Sequence, residues 1–123
     1  MKHILLTTIA AVLVVGCGPK APDISIHKAA EEGNTEAVKQ HLSAGADVDV
    51  KGGWLGGTPL HYAVGEAHNE IAKLLIAKGA NVNAKDERGK TPLDLAVQVK
   101  NTEVANLLRK HGGKAKQELE AGN

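Results

Sequence analysis

Apolar residues recur with a helical spacing over the middle of the chain. One stripe has the spacing i, i+3, i+4 and i+7, and it comprises Leu60, Ala63, Val64 and Ala67. This spacing places the four side chains on one face of a first helix. A shorter stripe predicts a second helix and comprises Ile71, Leu74 and Leu75. A turn at His68-Asn69 would separate the two helices, and Gly79 would end the second one in a left-handed conformation.

The first helix of this unit has a start signal that occurs twice. Thr58 precedes Pro59, and Thr91 precedes Pro92. A Thr N-cap satisfies a free N–H group of the first turn, and Pro suits the first helical position because it has no N–H to satisfy. The same unit of helix, turn and helix is therefore predicted to begin again at residue 91.

The unit repeats with a period near 33 residues. The segment 58–63, Thr-Pro-Leu-His-Tyr-Ala, returns at 91–96 as Thr-Pro-Leu-Asp-Leu-Ala. The same offset joins Gly79 to Gly112, and an offset of 34 joins His27 to His61. A pattern sustained over three copies indicates a solenoid, in which each unit buries its apolar face only against its neighbours.

The motif Thr-Pro-Leu-His-x-Ala at this period resembles the ankyrin repeat, and the resemblance covers residues 26–113. It implies an all-α solenoid of three helix-turn-helix repeats with connecting β-hairpin loops. We expect the repeats at 26–57, 58–90 and 91–113, followed by a C-terminal tail at 114–123 in preference to a loosely docked extra turn. The residues to which the resemblance gives structural roles are Thr58, Pro59, Leu60, His61, Gly79, Thr91, Pro92, Leu93 and Gly112.

Several positions depart from the family pattern. Asp94 stands where the motif has His, and Ala67 and Lys100 stand where Gly is expected after the first helix. The first repeat has Gln40-His41 where later repeats have paired leucines, which fits a capping repeat with a polar outer face. Its opening helix would be capped by a residue of segment 23–25, either Asp23 or Ser25.

The first 16 residues have the pattern of an export signal. Lys2 and His3 precede an uncharged, mostly apolar stretch at 4–16, which is too short to span a bilayer. Such a stretch is typical of a secretory signal peptide, and a buried core helix is the alternative. Residues 14–17, Val-Val-Gly-Cys, resemble the lipobox of bacterial lipoproteins. Cys17, the only cysteine, would then carry the lipid anchor; the alternative is a free thiol.

This signal predicts a location. Residues 17–25 would form a tether, of which 18–24 span at most roughly 25 Å at about 3.5 Å per residue. Gly18 beside the cysteine resembles the outer-membrane sorting class, so we expect a lipid-anchored protein of the bacterial envelope that faces the periplasm from the outer membrane. Loss of residues 1–16 would remove Lys2 alone among charged residues and leave 14 basic and 14 acidic groups.

Composition and missing motifs exclude several functions. Aromatic residues are 2% of the chain and Phe is absent, which favours an aliphatic helical core over a β-sandwich. Lys and Arg number 15 against 14 acidic residues, so the sequence predicts no nucleic-acid partner. No metal-binding, phosphate-binding or nucleophile motif occurs, so we expect a non-catalytic protein without cofactor or metal. His27 and His61 would be structural, with the His61 ring on the Thr58 turn.

The resemblance leaves a surface as the candidate site. In ankyrin-like stacks the loop tips and the variable faces of the first helices form a concave groove for a protein partner. The positions that would contact it here are Trp54, Leu55, Tyr62, Glu66, Lys85, Asp86, Arg88, Leu95 and Gln98. Trp54 could be a partner anchor or a lid on the repeat beneath, and Leu55 is the better core candidate of the two.

Three functional hypotheses follow. The leading one is a monomeric lipoprotein that binds another envelope protein through this groove. The alternative is an inhibitor or immunity protein that occludes a toxin or enzyme at the envelope, which a neighbouring toxin gene would favour. The third is a ligand or metal site that uses His41, His68 or Asp94, which only a metal in the purified protein would support.

Overall fold

The computed structural model describes residues 23–121, which form three pairs of helices and one short final helix. The helices are α1 (Ile26–Glu32), α2 (Thr35–Ser43), α3 (Pro59–Gly65), α4 (Asn69–Ala77), α5 (Pro92–Gln98), α6 (Thr102–Lys110) and α7 (Lys116–Ala121). The helices of each pair pack on each other, the first helices α1, α3 and α5 pack in one row, and α2, α4 and α6 pack in a second. This is the all-α solenoid of three repeats that the sequence predicts. The expected signal peptide and Cys17 lie outside the described residues.

The helices begin where the capping pattern predicts. Thr58 and Thr91 have extended backbone conformations and precede Pro59 and Pro92, the first residues of α3 and α5. The N–H of Lys28 donates to the Ser25 hydroxyl at 3.1 Å, so Ser25 is the cap of α1. Ser25 and Thr91 each satisfy an N–H group that the first helical turn leaves without a partner, whereas the Thr58 hydroxyl lies 3.0 Å from His61 Nδ1.

The ends of the first helices differ from the prediction. Gly79 and Gly112 have φ of 91° and 86° beyond the second helices, as expected. The helix α3, however, ends at Gly65. Ala67 lies beyond it, is exposed and has φ of 60°. Lys100, the equivalent residue of the third repeat, is also exposed and has the same φ. Ala67 is therefore wrongly placed in the apolar stripe. It holds the left-handed turn that lets the N–H of His68 donate to the carbonyl of Ala63 at 2.8 Å.

The core is one continuous aliphatic layer. It runs from Ile26 in the first repeat to Leu108 in the third, and both of these side chains are buried. Val64 in α3 is fully buried because the third repeat covers it, whereas Val97 at the same position of the third repeat is 56% exposed. Each repeat thus depends on its neighbour for burial, as in other solenoids.

The connecting loops are turns with little strand pairing. Between residues 23 and 121 the one β-bridge joins Gly52 to Gly57 in antiparallel orientation, and no strand is formed. Within the same range, no helix is both long and apolar enough to cross a bilayer. The stack is therefore held by helix packing and by side chains that reach from one repeat to the next.

The C-terminal segment is a docked helical turn, so the favoured interpretation of a free tail is wrong. α7 begins at Lys116, whose N–H donates to Asp94 Oδ2 at 2.9 Å. The same carboxylate oxygen accepts the N–H of Thr91 at 2.9 Å, and Ala115 packs on the core. These contacts explain why Asp94 can replace the His of the motif. The Asp94 carboxylate accepts a backbone N–H from the segment that follows the third repeat, whereas the His61 ring of the second repeat contacts the carbonyl of Lys90.

Candidate partner-binding groove

The first helices and the loop tips surround a shallow pocket of about 130 Å³. The pocket brings together seven of the nine positions at which the sequence predicts partner contacts, namely Trp54, Leu55, Tyr62, Glu66, Arg88, Leu95 and Gln98. His61, Gly65 and Val99 also line it. The other two predicted positions, Lys85 and Asp86, do not line the pocket. We call this surface the Trp54 groove.

Trp54 lies on the rim of the groove with most of its surface in solvent. It is 70% exposed, and its indole Nε1–H donates to Glu31 Oε2 at 3.2 Å. Its ring meets the Tyr62 ring edge-on, with centroids 6.2 Å apart and an interplanar angle of 73°. A lid would bury more of its indole, so this exposure favours the interpretation of Trp54 as a partner anchor. The contacts with Glu31 and Tyr62 restrain a large apolar side chain in an open position.

Tyr62 acts as a clamp, because its hydroxyl holds the loop that carries Trp54 by two hydrogen bonds. It is 2% exposed; its hydroxyl donates to the carbonyl of Gly52 at 2.6 Å and accepts the N–H of Leu55 at 2.7 Å. Leu55 and Leu95 are also buried, at 9% and 5% exposure. These three predicted contact residues therefore form the floor of the groove and offer little surface. The burial of Leu55 agrees with its expected core position, whereas the burial of Tyr62 in α3 and Leu95 in α5 was missed because it depends on the loop and the neighbouring repeat that cover these helices.

Asp86 has a structural role in the next loop. It is 6% exposed, its Oδ2 accepts from Arg88 Nη2 at 2.8 Å, and its Oδ1 accepts the N–H groups of Arg88 and Lys90 at 2.8 and 3.0 Å. Burial alone would raise the pKa of this carboxyl, but these donors outweigh it and hold the pKa below its ordinary value. Asp86 is therefore not a surface contact. It partly neutralises Arg88 and fixes that side chain beside the groove.

His61 is structural, as the sequence predicts. Its Nδ1 lies 3.0 Å from the backbone N of Thr58, and its Nε2 lies 2.9 Å from the carbonyl oxygen of Lys90. The ring therefore accepts at Nδ1 and donates at Nε2, which is the neutral form. Burial lowers its pKa, in agreement with this geometry. His27 likewise contacts the carbonyl of Val50, at 2.7 Å.

Two histidines that the sequence left as ligand candidates also contact the backbone. The Nε2 of His41 lies 2.6 Å from the carbonyl oxygen of Ile24, and that of His68 lies 3.0 Å from the carbonyl oxygen of Glu31. His68 thus joins the second repeat to the first. In the part of the chain that the structure describes, no three His, Cys, Asp or Glu residues are placed to hold a metal ion.

Glu66 is the uncompensated charge of the groove. It is exposed at the end of α3 and has no ion-pair partner among residues 23–121. By contrast, Arg88 is paired with Asp86 at 2.8 Å, and Glu31 on the rim accepts from Trp54 and has Lys28 at 3.8 Å. The groove therefore combines an apolar floor, an exposed indole and one free carboxylate.

Comparison with known proteins agrees with this fold. A family model of three ankyrin repeats matches residues 26–118, so the chain belongs to the ankyrin-repeat family. It is similar to the human mitochondrial disaggregase, with 38% identity over 85 residues, which are 67% of this chain and 12% of that protein. It is also similar to human protein phosphatase 1 regulatory subunit 27, with 38% identity over 67 residues, which are 53% of this chain and 42% of the relative.

A bacterial relative shows the same partial match. An ankyrin repeat protein of Rickettsia bellii is 41% identical over 66 residues, which are 51% of this chain and 10% of that protein. The chain thus spans less than half the length of each of these relatives. What they share with it is the repeat region. The ankyrin fold is generally a non-catalytic module for protein interaction, and the repeats imply an interaction role for this chain.

Proposed function

We propose that this chain is a lipid-anchored ankyrin-repeat protein of the bacterial cell envelope that binds a protein partner through the Trp54 groove. It acts without catalysis, cofactor or metal, takes no nucleic acid, and is a monomer when the partner is absent. The observation that carries the proposal is the 70% exposure of Trp54. A tryptophan at the rim of a pocket exposes apolar surface to water. A partner that covers this surface removes it from water, which contributes favourably to the free energy of binding.

The groove favours a partner segment that carries a basic side chain among apolar ones. Trp54 offers the face of an indole and Glu66 offers a free carboxylate across the floor formed by Tyr62 and Leu95. A guanidinium or ammonium group gains from both, because it stacks on the indole by a cation–π contact and pairs with the carboxylate. Apolar side chains on either side of it would cover the floor.

The envelope location rests on the N-terminal sequence. The apolar stretch at 4–16 and the single cysteine at 17 have the order that lipid attachment requires, and two or more acyl chains give stable anchoring where one is marginal. The tether would hold the folded repeats near the membrane surface. This favours an envelope partner, whether an ordinary subunit or, in the inhibitory alternative, a toxin or enzyme.

Affinity capture from membranes tests the groove. We expect a partner to co-purify with the wild-type chain and to be lost with Trp54→Ala. Val97→Ala is the matched control, because Val97 is also an exposed apolar side chain, at 56%, but does not line the groove. Equal capture by the wild-type chain and Trp54→Ala would show that the partner does not bind through the groove. A captured toxin or hydrolase that loses activity in the complex would favour the inhibitory alternative.

Mass spectrometry tests the anchor independently. The wild-type chain should carry a diacylglyceryl group on Cys17 as the first residue, and Cys17→Ser should stay unprocessed and unlipidated. An intact N-terminus with a free thiol would refute the anchor and would leave the groove untouched.

A further inference from the structure

A second cleft of about 320 Å³ lies between the outer helices α2 and α4. It is lined by Lys39, Leu42, Ser43, Leu74 and Lys78 and shares no residue with the Trp54 groove. Its volume is at the lower end of the range of roughly 300–1,000 Å³ that is usual for small-ligand sites. We call it the outer cleft.

The outer cleft has an apolar floor and a cationic rim. Leu42 and Leu74 are half-buried and pack on the core, so each leaves part of its side chain open to the cleft. Lys39 and Lys78 have no carboxylate partner in the described range. Two unpaired ammonium groups above an apolar floor match a ligand with an anionic head and an apolar body.

The next pair of outer helices shows how such a lysine is otherwise neutralised. Lys73 on α4 is the counterpart of Lys39 one repeat earlier, and its Nζ lies 2.9 Å from Glu103 Oε2 on α6. A hydrogen bond from Lys73 lowers the pKa of Glu103 below its ordinary value, and the same bond raises the pKa of Lys73. No carboxylate of residues 23–121 pairs with Lys39. The cleft between the first two repeats therefore keeps a lysine charge that an ion pair neutralises between the next two.

Capping of the helix ends does not occupy the two lysines. The carbonyls at the end of α2 are satisfied by the following turn, in which the N–H of Ala46 donates to His41 at 3.0 Å. At the end of α4 the N–H of Ala80 donates to Leu75 at 3.0 Å. These are the six-to-one bonds of a Schellman turn, and they leave the Lys39 and Lys78 side chains free for a ligand.

The chain enters the fold across α2 from the outer cleft, on the side of that helix opposite to Lys39 and Ser43. The contact of 2.6 Å between His41 and the carbonyl oxygen of Ile24 holds the segment before α1 against the last turn of α2. A helix is about 10–12 Å across with its side chains, so this entry point and the cleft lie within one helix diameter of each other. Cys17 is seven residues before Ile24, and those residues span at most roughly 25 Å. A lipid on Cys17 would therefore keep the cleft within reach of the bilayer surface.

We infer that the outer cleft binds the headgroup of an anionic phospholipid of the membrane in which the chain is anchored. The inference rests on the lipid anchor proposed above. Lys39 and Lys78 take the phosphate, and Leu42 and Leu74 contact the glycerol and upper acyl carbons. Each lysine near an anionic membrane contributes a factor of about five, so the pair should shift the equilibrium toward the docked orientation by about 25-fold. Docking on this side leaves the Trp54 groove facing away from the bilayer.

A fluorescent label beside the cleft tests the inference on the full-length chain. Because the only natural cysteine would be lipidated, Ala44→Cys would accept a single NBD label; Ala44 is exposed at the end of α2 and does not line the cleft. The protein is reconstituted in phosphatidylcholine vesicles that contain a headgroup-nitroxide lipid, with or without phosphatidylglycerol. We expect quenching with phosphatidylglycerol and little without it. A label on Gln98→Cys, in the groove, should remain unquenched in both.

Charge variants identify the cause. Lys39→Glu with Lys78→Glu should abolish the quenching, and Lys51→Glu with Lys85→Glu, which changes net charge equally in the connecting loops, should retain it. Equal quenching in neutral vesicles, equal loss in both double variants, or quenching at Gln98→Cys alone would overturn the inference. So would displacement by inorganic phosphate, because the site would then bind a free anion. Two labels per chain would show an unlipidated Cys17, which is failure of the anchor and not of the cleft.

Discussion

Removal of the Tyr62 hydroxyl should destabilise the whole stack and not only its loop. Tyr62→Phe keeps the ring, which meets His27 edge-on with centroids 5.5 Å apart, so the aromatic packing is unchanged. It removes two hydrogen bonds, at 2.6 Å to the carbonyl of Gly52 and at 2.7 Å from the N–H of Leu55. The second is buried, and an orphaned buried donor costs about 1–3 kcal/mol, whereas the half-buried carbonyl costs about 1 kcal/mol.

The expected loss is therefore about 2–4 kcal/mol in the free energy of unfolding, or roughly 8–32 °C in Tm for a domain of this size. Urea unfolding followed by far-UV circular dichroism measures the global effect, and amide exchange at Leu55 measures the local one. We expect a lower urea midpoint, an unchanged slope and faster exchange at Leu55. A variant whose urea midpoint equals that of the wild type would refute the clamp, because water would then be replacing both bonds without cost.

Three further perturbations test other parts of the fold. Gly53→Ala should cost more stability than Gly79→Ala: both have positive φ, at 72° and 91°, but a Cβ at Gly53 would collide with the tyrosine hydroxyl, whereas nothing lies within 4 Å at Gly79. Equal urea midpoints would contradict this. Because the folded-state pKa of His61 is depressed, the unfolded state takes up its proton first as the pH falls below about 6.5, and stability should fall in that window. His61→Asn should flatten the decline measured by urea midpoints, and an unaltered slope would exclude His61 as its source. Lys116→Pro removes the N–H that donates to Asp94, and position 116 tolerates Pro because it is the first residue of α7. The variant should lose about 1.5–3 kcal/mol in the free energy of unfolding relative to Lys116→Ala. Equal melting temperatures would argue against a docked α7.

The repeat framework could be predicted from the sequence because its signals are local. Thr58-Pro59 specifies a helix start through backbone chemistry alone, and the left-handed Gly79 marks an end in the same way. The period of 33 residues then specifies the stack, since neighbouring stripes must cover each other. None of these inferences needed a long-range contact.

The orientation of groove side chains could not be predicted in this way. Tyr62 and Trp54 both belong to the predicted surface, yet one is 2% exposed and the other 70%. The difference is set by the turn around Gly53, which places a backbone carbonyl and an N–H over the tyrosine hydroxyl. The docked α7 was missed for the same reason, because Asp94 has a partner that is 22 residues away along the chain.

Site-specific photocrosslinking tests directly whether the Trp54 groove is the surface that contacts the partner. A photoreactive residue is placed at Gln98, which is exposed in the groove, or at Asn106, which is exposed on the outer helix α6. We expect a defined protein adduct from position 98 that disappears when Trp54→Ala is added, and none from position 106. An adduct from position 106 alone, or one from position 98 that survives Trp54→Ala, would contradict it.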